Sequence, residues 1–219
     1  RLWPMMISIL VNGAQWPTDP ISEEDHIADV KEAVLFGNHK GAISQPELLK
    51  KLVTGDVIHG YALPLPLGKI ERLPHVCMAP LNIQAQWTIN ERGKIIPKDR
   101  LTHNQSYKWE NSGTSVNSRC DSSSIQHCMF GKCLLRIINW TVAARRKYPN
   151  SRIFAKKDDF KSAYRRCHLH WLTACKTVTQ IKELMLAFMN LRLTFGGCLC
   201  PNFWCLMSEL MFDLVTAIL

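Results

Sequence analysis

Asp158-Asp159-Phe160-Lys161-Ser162-Ala163-Tyr164 places two carboxylates at the end of a short apolar run, with an aromatic ring five residues beyond the second. Further along, Leu193-Thr194-Phe195-Gly196-Gly197 leads to Pro201, six residues after the phenylalanine. A carboxylate projected where a strand ends can hold a hard divalent cation, and an aromatic side chain nearby can stand against that cation's substrate. A Phe-Gly turn lets backbone approach a flat ligand, because glycine has no Cβ to obstruct it. Each part has a plainer reading when taken singly. Asp158 and Asp159 suit the cap of a turn at Lys161-Ser162-Ala163, Tyr164 suits a core aromatic, and a Gly-Gly turn ahead of a proline-started helix is common.

Combined at these offsets, the residues resemble the first catalytic-aspartate block and the following substrate-grip block of retroelement reverse transcriptases. The family pattern of Asp, four residues, then an aromatic selects Asp159. Asp158 falls one residue early and would point to the opposite side of a strand. The resemblance implies that Asp159 ligates metal with the Phe160 backbone carbonyl beside it. It also implies that Tyr164 excludes a ribose 2′-hydroxyl and that Phe195 and Gly196 position the base pair. In the family an arginine on a fingers hairpin grips the triphosphate, and the stretch Arg100-Leu101-Thr102-His103-Asn104 is similar. A guanidinium fork suits phosphate. Asn104 stands where family members often carry an acidic residue. Lys94 and Lys98 do not clearly reproduce the spacing of the second phosphate-binding lysine, so a solvated charge run is their plainer reading.

The resemblance implies RNA-directed DNA synthesis from deoxynucleoside triphosphates on an RNA or DNA template-primer, with Mg2+ or Mn2+ as cofactor. Its fold implication is an α/β (α+β) chain holding polymerase fingers and a partial palm, with antiparallel palm strands and packed helices. We divide the chain into a partly helical segment 1–60, a fingers-like region with a connecting helix over 61–150, and a partial palm over 151–219. The family's second block, an aromatic-x-Asp-Asp turn, does not occur in these residues; after Pro201 the acidic residues are Glu209 and Asp213. The expectation is a fragment inactive alone, from a truncated gene or a decayed mobile element. The alternative is a non-enzymatic nucleic-acid-binding remnant, and a third reading is a plain structural fragment.

Composition sets the outer bounds. The 219 residues carry 27 Lys and Arg against 18 Asp and Glu, a net charge of +9, which favours a polyanionic partner. Hydrophobic content of 47% is ordinary for a chain that buries a core. Nine cysteines form no regular framework, so free thiols and an intracellular location, nucleus or cytoplasm, are expected. Single-residue spacings in Cys167-His168-Leu169-His170 and Cys198-Leu199-Cys200 do not match a zinc knuckle. Arg1-Leu2-Trp3-Pro4 in place of an initiating Met suggests a fragment or a processed product. Met5 to Val11 is too short for a signal peptide, and Glu209 and Asp213 interrupt the C-terminal apolar run, so no membrane partner is expected.

The elements follow from periodicity and punctuation. Helices are expected over Asp29 to Phe36 and over Pro46 to Val53, the second stopping at Gly55. Tyr61 to Gly68, with two prolines, reads as an extended edge segment or linker. Two short strands, Gln86 to Ile89 and Lys94 to Ile96, flank a turn at Asn90 to Gly93. Arg100 to Tyr107 continues as strand or loop, and Asn111 to Ser124 loops out. Cys133 to Lys147 is the clearest helix, with Leu134, Leu135, Ile138 and Val142 on one stripe and Pro149 as its stop. A strand over Ile153 to Lys156 delivers Asp159. Met185 to Leu193 alternates with period two, its odd positions apolar and Asn190, Arg192 and Thr194 on the other face. Pro201 opens a helix burying Phe203, Met207, Leu210, Leu214 and Ile218.

Overall fold

A computed structural model of the chain describes residues 3–90, 92–125, 133–154, 160 and 162–218. The architecture is mixed α+β with two antiparallel sheets. Four helices come first: α1 (Trp3–Asn12), α2 (Glu23–Phe36), α3 (Lys40–Ile43) and α4 (Pro46–Ile58). Ser22 caps α2 by accepting from the Asp25 amide at 3.1 Å, which starts the helix six residues before the apolar spacing does. Gly55 does not stop α4; the helix runs three residues past it, to Ile58. An isolated glycine costs a helix only about 1 kcal/mol, and the buried Leu49 and Val53 hold this one.

A three-stranded sheet has the order β1 (Ala62–Pro66), β5 (Leu186–Asn190), β4 (Val178–Ile181), all antiparallel. The proline-rich β1 lies at the edge, where missing amide donors cost least. Central β5 is buried on both faces. Ala187 packs with Val30, Ala33 and Val178, whereas Phe188 packs with Leu49, Val53, Ala62 and Ile181. The strand is shorter than the expected Met185 to Leu193, and the alternation is not apolar against polar, because Leu186 and Phe188 occupy the same face as Asn190. Asn190 is buried and donates through Nδ2 to the Thr177 carbonyl, while the Thr177 hydroxyl donates to the Asn190 carbonyl at 3.2 Å. Reciprocal bonds of this kind let an amide side chain sit in a core.

The second sheet is a hairpin of β2 (Leu81–Ile89) and β3 (Ile95–His103), in register from Leu81 opposite His103 to Ile89 opposite Ile95. It is longer than the sequence pattern marks out. The Asn90 side-chain oxygen accepts from the amides of Arg92 and Lys94, at 3.0 and 2.9 Å, and Gly93 takes a positive φ of 73°. The hairpin base is anchored, with Leu81 and Ile83 in the core, while Trp87, Ile89 and Ile95 near the tip are exposed. Buried Asn38 joins the two sheets. Its Nδ2 donates to the Gln180 carbonyl and its Oδ1 accepts from the Leu81 amide, both at 2.8 Å.

Helix α5 (Cys133–Lys147) has the bounds its periodicity marks, but its apolar stripe is not buried: Leu134, Leu135, Ile138 and Val142 are all exposed. Arg145 braces the turn that follows the helix by donating to the carbonyls of Pro149 and Ser151, each at 3.0 Å. Ile153 and Phe154 form no strand, and Phe154 is largely exposed. A β-prone run without a ladder partner has nowhere to place its amides. The remainder of the expected strand, with Asp158 and Asp159, lies outside the described residues. After the short α6 (Trp171–Cys175) and the β4–β5 pair, α7 (Cys200–Ile218) ends the chain with Pro201 in its first turn. Phe203 and Leu206 are buried on it, Met207 and Leu210 are half-buried, and Leu214 is exposed. Among the side chains described, the fully buried ones lie in the first turns, and the expected burial of Ile218 falls outside them. No helix among the described residues is long and apolar enough to cross a membrane.

Candidate functional site

Phe195 is where four chain segments meet. Backbone from the end of β3 reaches it directly, the His103 amide donating to the Phe195 carbonyl at 3.0 Å. The Arg100 guanidinium lies over the Phe195 ring, its Cζ 5.6 Å from the ring centroid. The Tyr164 ring stands 6.5 Å from the same ring, centroid to centroid. Asn117 closes the group by donating through Nδ2 to the Gly196 carbonyl at 2.8 Å. Arg100, Tyr164, Phe195 and Gly196, separated by up to 96 positions in sequence, therefore share one neighbourhood.

Hairpin pleating explains how Arg100 comes to look this way. Arg100 pairs with Gln84, and Thr102 with Asn82, so these four side chains share one face. Leu81, Ile83 and Leu101 occupy the opposite face and pack into the core. Lys98 falls on the Arg100 face, nearer the tip. Beside this face lies a cleft of about 840 Å³, whose lining includes Gln84, Thr102, Asn82, Phe195, Gly196, Phe36, His39 and Lys40.

Phe36 and His39 of the lining belong to an aromatic cluster. Phe36 packs against Tyr107 at 4.8 Å and against His39 at 5.6 Å, and the His39 ring nitrogen meets the Asn104 side-chain amide at 3.0 Å. Within the lining, Asn82 Oδ1 and Gln105 Nε2 are buried without a hydrogen-bond partner. A buried acceptor and a buried donor left unpaired are costly unless something else satisfies them. None of Phe36, His39, Asn82, Gln84 or Gln105 stands out in the sequence, because they are spread over several segments and form no local motif. Proximity to Arg100 along an alternating strand could have marked Thr102, and with the register known, Gln84.

No family model, curated protein or solved structure matches the chain. The site must be read from its own residues.

Gly196 is fixed by geometry. Its φ is +146°, and a Cβ placed there would lie 1.8 Å from the His103 carbonyl oxygen. Backbone approaches backbone here because no side chain intervenes. Beneath the turn, the buried His103 imidazole is driven down to about 3 by burial, and the positive charge of Arg165 pushes in the same direction. It is a neutral ring at physiological pH. Arg165 pairs with Asp56 at 2.5 Å. Burial nonetheless raises the Asp56 pKa and lowers that of Arg165, so desolvation outweighs their attraction.

The metal half of the expected site is described only in part. Asp159 lies outside the described residues. Phe160 is half exposed, and its ring packs edge-on against Trp204 of α7 at 5.6 Å. Among the described residues no three His, Cys, Asp or Glu side chains cluster in a way that could hold a metal ion.

Proposed function

We propose that the chain is a fingers and partial-palm portion of a reverse transcriptase, with its nucleotide site at the junction of the β2–β3 hairpin and the Phe195-Gly196 turn. The observation that carries this reading is the convergence on Phe195 of Arg100 and Tyr164, whose roles the resemblance assigned separately. A guanidinium on an exposed strand can meet a triphosphate, and Tyr164 and Phe195 offer flat surfaces for a sugar and a base. Gly196 lets the turn close against the His103 backbone of β3. The cleft, with Phe36, His39 and Lys40 in its lining, suits a nucleic-acid strand, since bases stack on aromatic rings and lysine meets phosphate. Net charge of +9 supports the same class of partner.

Asp159 and the Phe160 carbonyl would hold Mg2+ or Mn2+, which in a complete site neutralises charge developing on the phosphates. One carboxylate and one carbonyl are too few hard oxygen ligands for a two-ion site. Residues 1–219 alone are therefore expected to give no templated primer extension in magnesium or manganese. Extension that disappears in Asp159→Asn would show that the site is sufficient as it stands.

Nucleotide binding tests the reading without requiring catalysis. Arg100→Glu is expected to weaken deoxynucleoside triphosphate binding by about tenfold or more, the worth of a charge-assisted phosphate contact. The same reversal at exposed Lys108 should change it little. Equal effects in a fluorescence titration would make Arg100 ordinary surface charge. A second reading, a nucleic-acid-binding remnant without polymerase chemistry, is favoured by the exposed basic residues Arg136, Arg145, Arg146 and Lys147 of α5. It expects salt-sensitive binding to nucleic acid with no response of triphosphate affinity to Arg100.

A further inference from the structure

Two cysteines distant in sequence meet beside the Gly196 turn. Asn117 brings them together: its backbone carbonyl accepts from the Cys120 amide at 3.3 Å and from the Cys198 thiol at 3.8 Å. Its side-chain oxygen accepts from the Cys198 amide at 2.9 Å. Cys120 is held from behind, bridged in β fashion to Thr18, while the next amide, of Asp121, donates to the Pro17 carbonyl. Both backbones are thus tied to one residue, and the two thiols lie close enough to shift each other's proton affinity. We propose that Cys120 and Cys198 form a reversible disulfide, a redox modification site that staples the 117–120 turn to the loop leading into α7.

Reactivity is divided between the two thiols in the way such a site needs. Cys198 is exposed, whereas Cys120 is only partly so. The neighbouring Cys120 thiol, joined by the amides of Cys198 and Leu199, draws the Cys198 pKa down to about 7. That places it near the optimum for an attacking thiolate at cellular pH. The same closeness, with burial, pushes Cys120 up and keeps its proton on until Cys198 has reacted. Other cysteines are poorly suited: burial raises Cys200 to about 12 and Cys167 to about 11. Lys176 and Arg119 both favour a thiolate at Cys120 when its turn comes.

The chemistry balances with a hydroperoxide as oxidant. The Cys198 thiolate attacks one peroxide oxygen, the O–O bond breaks, and hydroxide leaves and takes up a proton as water. Cys198 is then a sulfenic acid. The Cys120 sulfur attacks the Cys198 sulfur, the S–O bond breaks, and the departing oxygen leaves as water with the Cys120 proton. Two thiols have supplied two electrons, and one peroxide has become two waters. The inference does not depend on the polymerase reading, since it rests on the pair and on Asn117.

The experiment is a titration of the folded 219-residue chain with hydrogen peroxide, followed by alkylation of free thiols, non-reducing digestion and mass mapping. The expected result is a peptide pair joined through Cys120 and Cys198, lighter by two hydrogens and released by dithiothreitol. In Cys120→Ser the link disappears and Cys198 becomes trappable by dimedone, the sulfenic acid having lost its resolving thiol. In Cys198→Ser neither product forms. Matching circular dichroism of the reduced variants verifies that each is folded. Cys198 joined chiefly to another cysteine, or left alkylatable while others oxidise, overturns the assignment.

Discussion

Gly196→Ala is expected to destabilise the fold by on the order of 3–4 kcal/mol, from backbone strain and overpacking together. The new methyl group would sit 1.8 Å from the His103 carbonyl oxygen and 2.9 Å from its carbon, at a φ of +146°. Both obstacles are backbone, so no rotamer change relieves them. Relief requires β3 to move away from the turn, which breaks the bond from the His103 amide to the Phe195 carbonyl. The same movement would lift Arg100 off the Phe195 ring, and on the proposed nucleotide-site reading triphosphate binding should weaken along with stability. For a chain of this size the melting midpoint should fall by about 10 °C. Gly68→Ala provides the contrast. A Cβ there meets nothing within 4 Å, and its φ is not positive. It should be neutral or raise the midpoint slightly through the unfolded chain. Equal midpoints for the two variants in a thermal melt would mean that the turn yields and that glycine is not required.

What the sequence reveals, and what it hides, follows from where the determining interactions lie. Helix α5 could be read to its ends because periodicity and Pro149 are local signals. The edge position of β1 followed from its prolines, and the hairpin turn from Asn90 and Gly93. Burial of Asn190 and Thr194 was not legible, since their partners Thr177 and Gln105 lie in other segments. Nor was the exposure of the α5 stripe. An apolar face shows that a helix can be buried, but not that anything covers it. Within the site, Arg100, Tyr164, Phe195 and Gly196 drew attention by residue type and offset. The cleft that Phe195 and Gly196 help to line did not, because Asn82, Gln84 and Thr102 acquire their shared face only through the β2–β3 register. Pairing register is a long-range property, set by Leu81, Ile83 and Leu101 reaching the core, and no short motif encodes it.

Lowering the pH from 7 to 5 is expected to cost this fold about 2 kcal/mol through His103 alone, at roughly 1.4 kcal/mol per pH unit below the unfolded pKa. The unfolded imidazole titrates near 6.5, the folded one at about 3. The native state therefore binds its proton more weakly than the unfolded chain does. With the folded pKa depressed, the unfolded state takes up more protons across the window between the two values, so stability rises with pH there. The contribution is complete above 6.5, declines as pH falls, and is exhausted below about 3. Full burial means that solvent does little to screen the penalty, and the nearby Arg165 charge adds to it. Asp56, raised by burial, works in the opposite direction: the folded state holds its proton more tightly than the unfolded chain, which offsets part of the histidine slope. Because His103 joins the hairpin to the Phe195 turn, its protonation should open the candidate site before the sheet core yields. Urea unfolding at pH 7 and pH 5 measures the slope, with His103→Gln as the comparison: glutamine is polar but cannot titrate. The variant should be less stable at pH 7 yet nearly flat across the interval. A variant slope as steep as that of the native chain would place the acid sensitivity in other groups and remove His103 as its source.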